Sequence, residues 1–165
     1  MVKKFTQKYT IITLLEDMAE GTIYLSNDWP LHVTIADTFS INWEIDDLGT
    51  KLSVLAPKLK SATAIAAQDE YFGSEKQTQV TILDMSGGLI DLHNGVVSLL
   101  KSLGAVFNDP QYMGERFRAH ATVQSNARLS MEDVVKFDNL AIVDMFPDGD
   151  PYKRKVLKLI SLSGS

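Results

Sequence analysis

Two short stretches, LHVTI at residues 31–35 and AHATV at residues 119–123, share a His-x-Thr pattern within an apolar run. Each places a histidine and a threonine two positions apart in an apolar run. Residues i and i+2 of a β-strand project from the same face, so each run is predicted to be a strand that presents one imidazole and one hydroxyl together. The chain has only three histidines, so the repeat favours a paired function over coincidence. The pairs are His32 with Thr34 and His120 with Thr122.

Other segments around these two runs also have the composition of β-strands. They are rich in β-branched and aromatic residues and are bounded by turn-forming residues. The predicted strands are Tyr9–Leu15, Thr22–Leu25, 31–37, Ala62–Phe72, Gln79–Met85, 117–124, Leu140–Phe146 and Lys155–Leu162.

Two segments have the period of an amphipathic helix, with apolar residues at alternating steps of three and four. Pro57 is expected to end the first helix, and Gly104 is expected to cap the second. A third, short helix is predicted over residues 130–137, with Ser130 as its N-cap. The apolar stripes are Ile45, Leu48, Leu52, Leu55 and Leu59 in the first helix and Leu89, Leu92, Val96, Leu99 and Leu103 in the second.

Strands and two similar helices alternate about two similar motifs, which predicts an α+β fold. We expect a single domain over residues 1–165, with two pseudo-symmetric lobes. Antiparallel sheets should flank a central cleft, with the helices packed outside. The cleft is the natural place for a ligand.

Composition excludes several classes of function. Cysteine is absent, which excludes cysteine nucleophiles and thiolate zinc sites and favours a cytoplasmic setting. Formal net charge is −5, which disfavours a protein that binds long nucleic acid through many phosphate contacts. No segment has the length and apolarity of a membrane span, so we expect no membrane partner. We expect a monomer.

Two histidines and two hydroxyls suit phosphodiester cleavage without a metal or another cofactor. This reaction needs a base, an acid and donors for the charge on the non-bridging oxygens. Histidine populates both protonation states near neutral pH, and the two threonines can supply donors. Arg118 lies two positions before His120, on the same predicted face, and is a candidate phosphate ligand.

Other interpretations of the same residues remain open. The motif residues could simply be polar groups on half-buried strands. A metal site would need carboxylates such as Asp28 or Asp37 as further ligands. His93 falls one position off the apolar stripe of the second helix and is predicted to be a partly exposed structural residue. Three aromatic residues near the motifs are candidates for stacking on a base, namely Trp29, Phe39 and Tyr112.

The two motifs resemble the signature of the two-histidine phosphoesterases, which include 2'-5' RNA ligase-like and 2',3'-cyclic phosphodiesterase proteins. FRAHATV at residues 117–123 is similar to the Arg-Pro-His-x-Thr run of that superfamily, with Ala119 in place of proline. Its members usually carry a helix between the first strand and the first motif. Residues 16–30 leave little room for that helix, so we expect a shortened N-terminal lobe.

The resemblance implies catalysis by the two motif histidines and threonines without a metal. The implied substrate is a 2',3'-cyclic phosphate or a 2'-5' linkage in a small nucleotide or at an RNA end. A catalytically weak module that binds a nucleotide or phosphorylated metabolite in the same cleft is the alternative.

Overall fold

The computed structural model describes residues 7–59, 61–73, 75–84, 88–124 and 127–162. Within these ranges the chain forms two α-helices, α1 (Ile45–Leu55) and α2 (Leu89–Ser102). The strands within the same ranges are β1 (Tyr9–Leu14), β2 (Ile23–Leu25), β3 (His32–Ser40), β4 (Ala62–Phe72), β5 (Thr78–Leu83), β6 (Val106–Phe107), β7 (His120–Thr122), β8 (Val134–Phe137), β9 (Asn139–Asp144) and β10 (Lys153–Ser161).

The strands form two antiparallel sheets, as the predicted α+β fold requires. One has the order β2-β10-β9-β1-β3-β6 and the other the order β7-β5-β4-β8. The short β6 pairs with β3 only at Phe39 and Ser40, so it leaves the end of β3 that begins at His32 uncovered. β7 is the edge strand of its own sheet and lies beside β3. The two motif strands, distant in sequence, are therefore neighbours.

Both motif strands show the predicted alternation of faces. In β3, Val33 and Ile35 are fully buried, and in β7 Ala121 is buried as well. The histidine and threonine of each motif are only half-buried. Burial of the apolar residues fixes which face each strand turns toward the core, so the imidazole and the hydroxyl are left on the opposite face.

The two predicted amphipathic helices are present. α1 ends at Leu55 and continues as one 3-10 turn that contains Pro57, as predicted. In α2 the predicted stripe residues Leu89, Leu92 and Val96 are buried. α2 packs against β3 and β4, so it lies behind the first motif strand. None of the helices in the described residues is long and apolar enough to cross a membrane.

The third predicted helix is wrong. Residues 134–137 form β8, in which exposed and buried residues alternate, and β8 pairs with β4. The main-chain N–H of Ser130 does donate to the Asp133 carboxylate, which is a contact typical of a helix start, but here it closes a turn with Glu132 at φ +72°. Pairing with a neighbouring strand outweighs this local helix signal.

Other element boundaries differ modestly from prediction. Within residues 15–31 the structure has turns and the three-residue β2 and no helix, as the sequence predicts. β5 ends at Leu83, and Met85, predicted to extend it, lies outside the described residues. The second motif strand is reduced to three residues, His120–Thr122.

Candidate functional site

Each motif histidine is the first residue of its strand and is held by the same local contact. Nδ1 of His32 lies 2.7 Å from the carbonyl oxygen of Pro30, and Nδ1 of His120 lies 2.8 Å from that of Arg118. A carbonyl oxygen only accepts, so in both rings Nδ1 carries the hydrogen and donates it. In each histidine, therefore, Nε2 is the nitrogen left to accept or deliver a proton.

Electrostatic interactions connect the two imidazoles. Burial lowers the pKa of His32 and His120 below the ordinary value, while the hydrogen bond from Nδ1 to the backbone partly offsets this. The charge of His120 further lowers the pKa of His32. Asp37, on β3, raises the pKa of His120 on β7. Groups on the two strands thus act on each other across the sheets.

Thr34 and Thr122 accompany the histidines on the same faces. Both side chains are half-buried, and neither hydroxyl has a hydrogen-bond partner among the described residues. Thr122 and His120 pair across the sheet with Val80 and Ile82, which are buried and hold β7 in register. Both hydroxyls are therefore available to donate to a bound group.

An aromatic ring packs against each imidazole. Trp29 stacks on His32, with ring centroids 4.6 Å apart and an angle of 29° between the planes. Phe72, at the end of β4, meets His120 edge-on at 4.8 Å. The sequence drew attention to Trp29 but not to Phe72, because Phe72 is 48 residues away from His120. Both rings contribute to the burial that lowers the histidine pKa values.

Arg118 lies beside the second motif and is engaged by an acidic partner. Its two terminal guanidinium nitrogens bind the two carboxylate oxygens of Glu70, and the guanidinium also lies 5.8 Å from the ring of Phe72. Gln68 donates to the same carboxylate at 2.7 Å. Glu70 was not singled out from the sequence, which carried no signal for this contact. The role of Arg118 as a phosphate ligand stays a prediction.

Two predictions about individual side chains are wrong. Phe39 is fully buried, with its ring between those of Tyr9 and Phe107, so it cannot stack on a ligand. His93 is 1% exposed rather than partly exposed. Tyr112 belongs to a 3-10 turn, but its side chain lies outside the described part of the structure.

The alternative metal site is not assembled in the described part of the chain. Among these residues, no three or more His, Cys, Asp or Glu side chains are grouped so that they could hold a metal ion. A cavity of about 650 Å³ lies between β1, β8 and β10, but its lining contains none of the motif histidines and threonines. The paired imidazoles on β3 and β7 are therefore the better candidate for chemistry.

Comparisons with known proteins give a match at the level of structure. No family model matches this chain, and no curated protein is significantly similar to it in sequence. TT0787 of Thermus thermophilus is 17% identical, with a TM-score of 0.58, over 96% of this chain and 99% of that one. E. coli LigT, in its complex with NADP+, is 15% identical, with a TM-score of 0.57, over 97% and 99% of the two chains.

A third structure, described as a phosphoesterase, is 16% identical, with a TM-score of 0.53, and covers 95% of this chain and 98% of its own. In all three cases the match spans nearly the whole of both chains. At this level of identity the likeness establishes the architecture. The protein therefore has the fold of the phosphoesterase and LigT structures, which is the fold that its two His-x-Thr motifs predict.

Proposed function

We propose that this protein is a metal-independent phosphodiesterase that acts on a small nucleotide or an RNA end. One observation carries the proposal: two imidazoles on neighbouring strands, each with Nδ1 bound to a backbone carbonyl, leave two Nε2 atoms for proton transfer. The fold shared with a phosphoesterase and with LigT supports it.

The two histidines divide the acid and base roles. One neutral imidazole takes a proton through Nε2 from water or a hydroxyl as its oxygen attacks phosphorus. The other, protonated imidazole gives its Nε2 proton to the ribose oxygen as the bond from that oxygen to phosphorus breaks. Nδ1 can keep donating to its carbonyl in both charge states, so neither ring has to turn during the reaction.

The threonines stabilise the charge that develops on the phosphoryl group. Their hydroxyls lie on the faces that carry the imidazoles, and each can donate to a non-bridging oxygen. Arg118 can add a charge-assisted contact, because the two N–H groups that it donates to Glu70 leave three of its five donors for a phosphoryl oxygen. Such donors compensate the added negative charge without a metal ion.

A nucleotide is the favoured substrate because one aromatic ring lies against each imidazole. Trp29 and Phe72 form apolar walls against which a ribose or base can pack. E. coli LigT, which shares this fold, has been crystallised with 3'-AMP. The resemblance of the motifs to those of the two-histidine phosphoesterases favours a 2',3'-cyclic phosphate or a 2'-5' linkage.

The test is turnover of a panel of 2',3'-cyclic mononucleotides and 2'-5'-linked dinucleotides by EDTA-treated protein, with 3'-5' dinucleotides as the linkage control. We expect the wild type to cleave at least one member, and His32→Ala and His120→Ala each to lose activity by about 100-fold or more. Asp91→Asn, on the exposed surface of α2, is the matched control and should behave as wild type.

The possible outcomes separate the candidate functions. Loss of activity in EDTA that zinc or manganese restores would favour the metal site. Binding of a nucleotide without turnover would favour the binding module. Near-normal turnover by either motif-histidine variant would contradict the proposed roles.

A further inference from the structure

The third histidine, His93 of α2, contacts both segments that carry the motifs. Its Nδ1 lies 2.7 Å from the carbonyl oxygen of Ile35, and its Nε2 lies 3.1 Å from the main-chain nitrogen of Gly114. Its ring also stacks on Phe117, with centroids 3.8 Å apart and planes within 5° of parallel. One buried side chain thus makes three contacts on two separate segments.

Only one form of the imidazole satisfies both hydrogen bonds. The Ile35 carbonyl can only accept, so Nδ1 must carry a hydrogen, and the Gly114 N–H can only donate, so Nε2 must not. The ring is therefore neutral, with its hydrogen on Nδ1. Burial, which lowers the pKa of His93, favours the same form. Lys101, on the same helix, acts in the same direction.

The contacted residues lie next to the proposed catalytic groups. Ile35 directly follows Thr34 on β3. Gly114 and Phe117 belong to the segment that leads into Arg118, and the carbonyl of Arg118 fixes the ring of His120. A displacement of this segment would therefore be transmitted to the orientation of His120. His93 links that segment to the strand that carries the other half of the site.

We infer that His93 is a positioning residue that holds the second motif at its catalytic distance from the first. The expected effect on kcat rests on the proposed function, whereas the expected effect on the position of the second motif does not. His93 does not touch the reacting atoms in this scheme. A misplacement of catalytic groups by about 1 Å can lower a rate roughly 100-fold, so a structural link of this kind can have a large kinetic effect.

The test compares His93→Leu with His93→Gln. Leucine fills much of the space but offers neither a donor nor an acceptor, whereas the glutamine amide can offer one of each. We expect His93→Leu to lower kcat by about tenfold to 100-fold with a smaller change in KM. His93→Gln should recover much of this loss. Val96→Ala, which removes methyl groups from the buried face of the same helix, is the matched control and should leave kcat close to wild type.

A second readout does not depend on the substrate. Nitrogen NMR distinguishes the two neutral forms of an imidazole, and three histidines give few signals to assign. We expect His93→Leu to change the ring-nitrogen shifts of His120, because the Arg118 carbonyl moves, while His32 changes less. Phe117→Leu removes the ring stacking but keeps both hydrogen bonds of His93, so it should change kcat and the His120 shifts in the same direction by smaller amounts. It serves as the test variant should His93→Leu not fold.

The outcomes for His93 and for the proposed function can be told apart. If the wild type cleaves nothing in the panel, the proposed function fails, and the His120 ring-nitrogen shifts still decide the positioning role. A folded His93→Leu protein with unchanged kcat and unchanged His120 signals would overturn the inference. A His93→Gln variant as impaired as His93→Leu would also overturn it.

Discussion

Burial lowers the pKa of His120, and Asp37, on a strand of the other sheet, partly offsets this shift. Asp37 is on β3, five residues after His32, whereas His120 begins β7. The negative charge of Asp37 favours the imidazolium form of His120 and so opposes the effect of burial on the pKa of that histidine. The first motif strand therefore contributes to the protonation of the histidine in the second motif.

Replacement of Asp37 by asparagine should lower the pKa of His120 still further below its ordinary value of about 6.5. In a plot of kcat/KM against pH, the transition that reports the ionisation of His120 should then move to lower pH. The transition that reports His32 should move less. An NMR titration of the histidine ring protons gives the pKa directly. Asp91→Asn is the control, and an unchanged or raised pKa for His120 in Asp37→Asn would contradict the prediction.

Thr34→Val and Thr122→Val should each lower kcat by about tenfold or more, because each removes one donor to the phosphoryl oxygens while it preserves side-chain shape. Thr81→Val is a suitable control. Thr81 is buried in the same sheet as Thr122, but it donates to Asp69 and neighbours Ala121, away from the imidazoles. This control should lose stability and keep its kcat. Equal effects of all three substitutions on kcat would argue against specific donors.

Two glycine substitutions in helices should differ in their effect on stability. A Cβ on Gly95 would lie 2.6 Å from Cδ2 of Leu59, whereas one on Gly49 would lie 3.4 Å from Cγ of the flexible Lys158 side chain. Overpacking costs about 1–3 kcal/mol, and alanine gains about 1 kcal/mol over glycine in a helix. Urea denaturation should therefore show Gly95→Ala destabilised by up to about 2 kcal/mol. Gly49→Ala should be neutral or slightly stabilised, and the reverse order would contradict this account.

Stability should fall as the pH decreases below about 6.5. Burial lowers the pKa of His32, His93 and His120, so each binds its proton more weakly in the folded state than in the unfolded chain. Below the unfolded pKa the unfolded chain takes up protons that the folded state does not, which lowers the free energy of unfolding. Urea denaturation from about pH 7.5 to about pH 5.5 avoids most carboxylate titration. In His93→Gln the free energy of unfolding should depend less strongly on pH. A wild-type free energy of unfolding that increases as the pH is lowered would contradict the prediction.

Small substrates should be processed about as efficiently as longer RNA. Few cationic side chains lie near the motifs, and two of them already have partners. Arg118 is paired with Glu70, and Arg154 donates to backbone carbonyls and lies over the ring of Trp29. The affinity for RNA should therefore fall with salt at a slope that reflects about one to three phosphate contacts. The measurement is kcat/KM for a cyclic mononucleotide and for a ten-residue RNA with the same end, each at two salt concentrations. A large preference for the RNA with a steep salt slope would contradict this.

The sequence predicted those features that depend on local periodicity. Alternation around His32 and His120 indicated the two motif faces, and the three-four stripes indicated both long helices. Prediction was wrong at residues 130–137, because Ser130 and Asp133 are equally suited to a helix start and to a tight turn. The choice between helix and turn depends on the pairing of β8 with β4, a strand distant in sequence.

The parts of the site that escaped prediction depend on contacts between distant residues. Glu70 and Arg118 are 48 positions apart, and nothing in either sequence neighbourhood indicates their contact. His93 lies one position off the helix stripe, which made it look partly exposed. It is buried because Ile35 and Gly114 satisfy both of its ring nitrogens, and a one-dimensional pattern does not reveal partners 58 and 21 residues away.

The contact that fixes each motif histidine spans only two residues, from Nδ1 to the carbonyl of the second residue before it. Each half of the site therefore fixes its own tautomer, because the carbonyl that keeps the hydrogen on Nδ1 belongs to the same three-residue segment as the histidine. Substitutions that alter the distance between the halves can then change the rate without scrambling the hydrogen position within either ring. The catalytic chemistry and the geometry that brings it together are thus separable, and each can vary in evolution or by design while the other is kept.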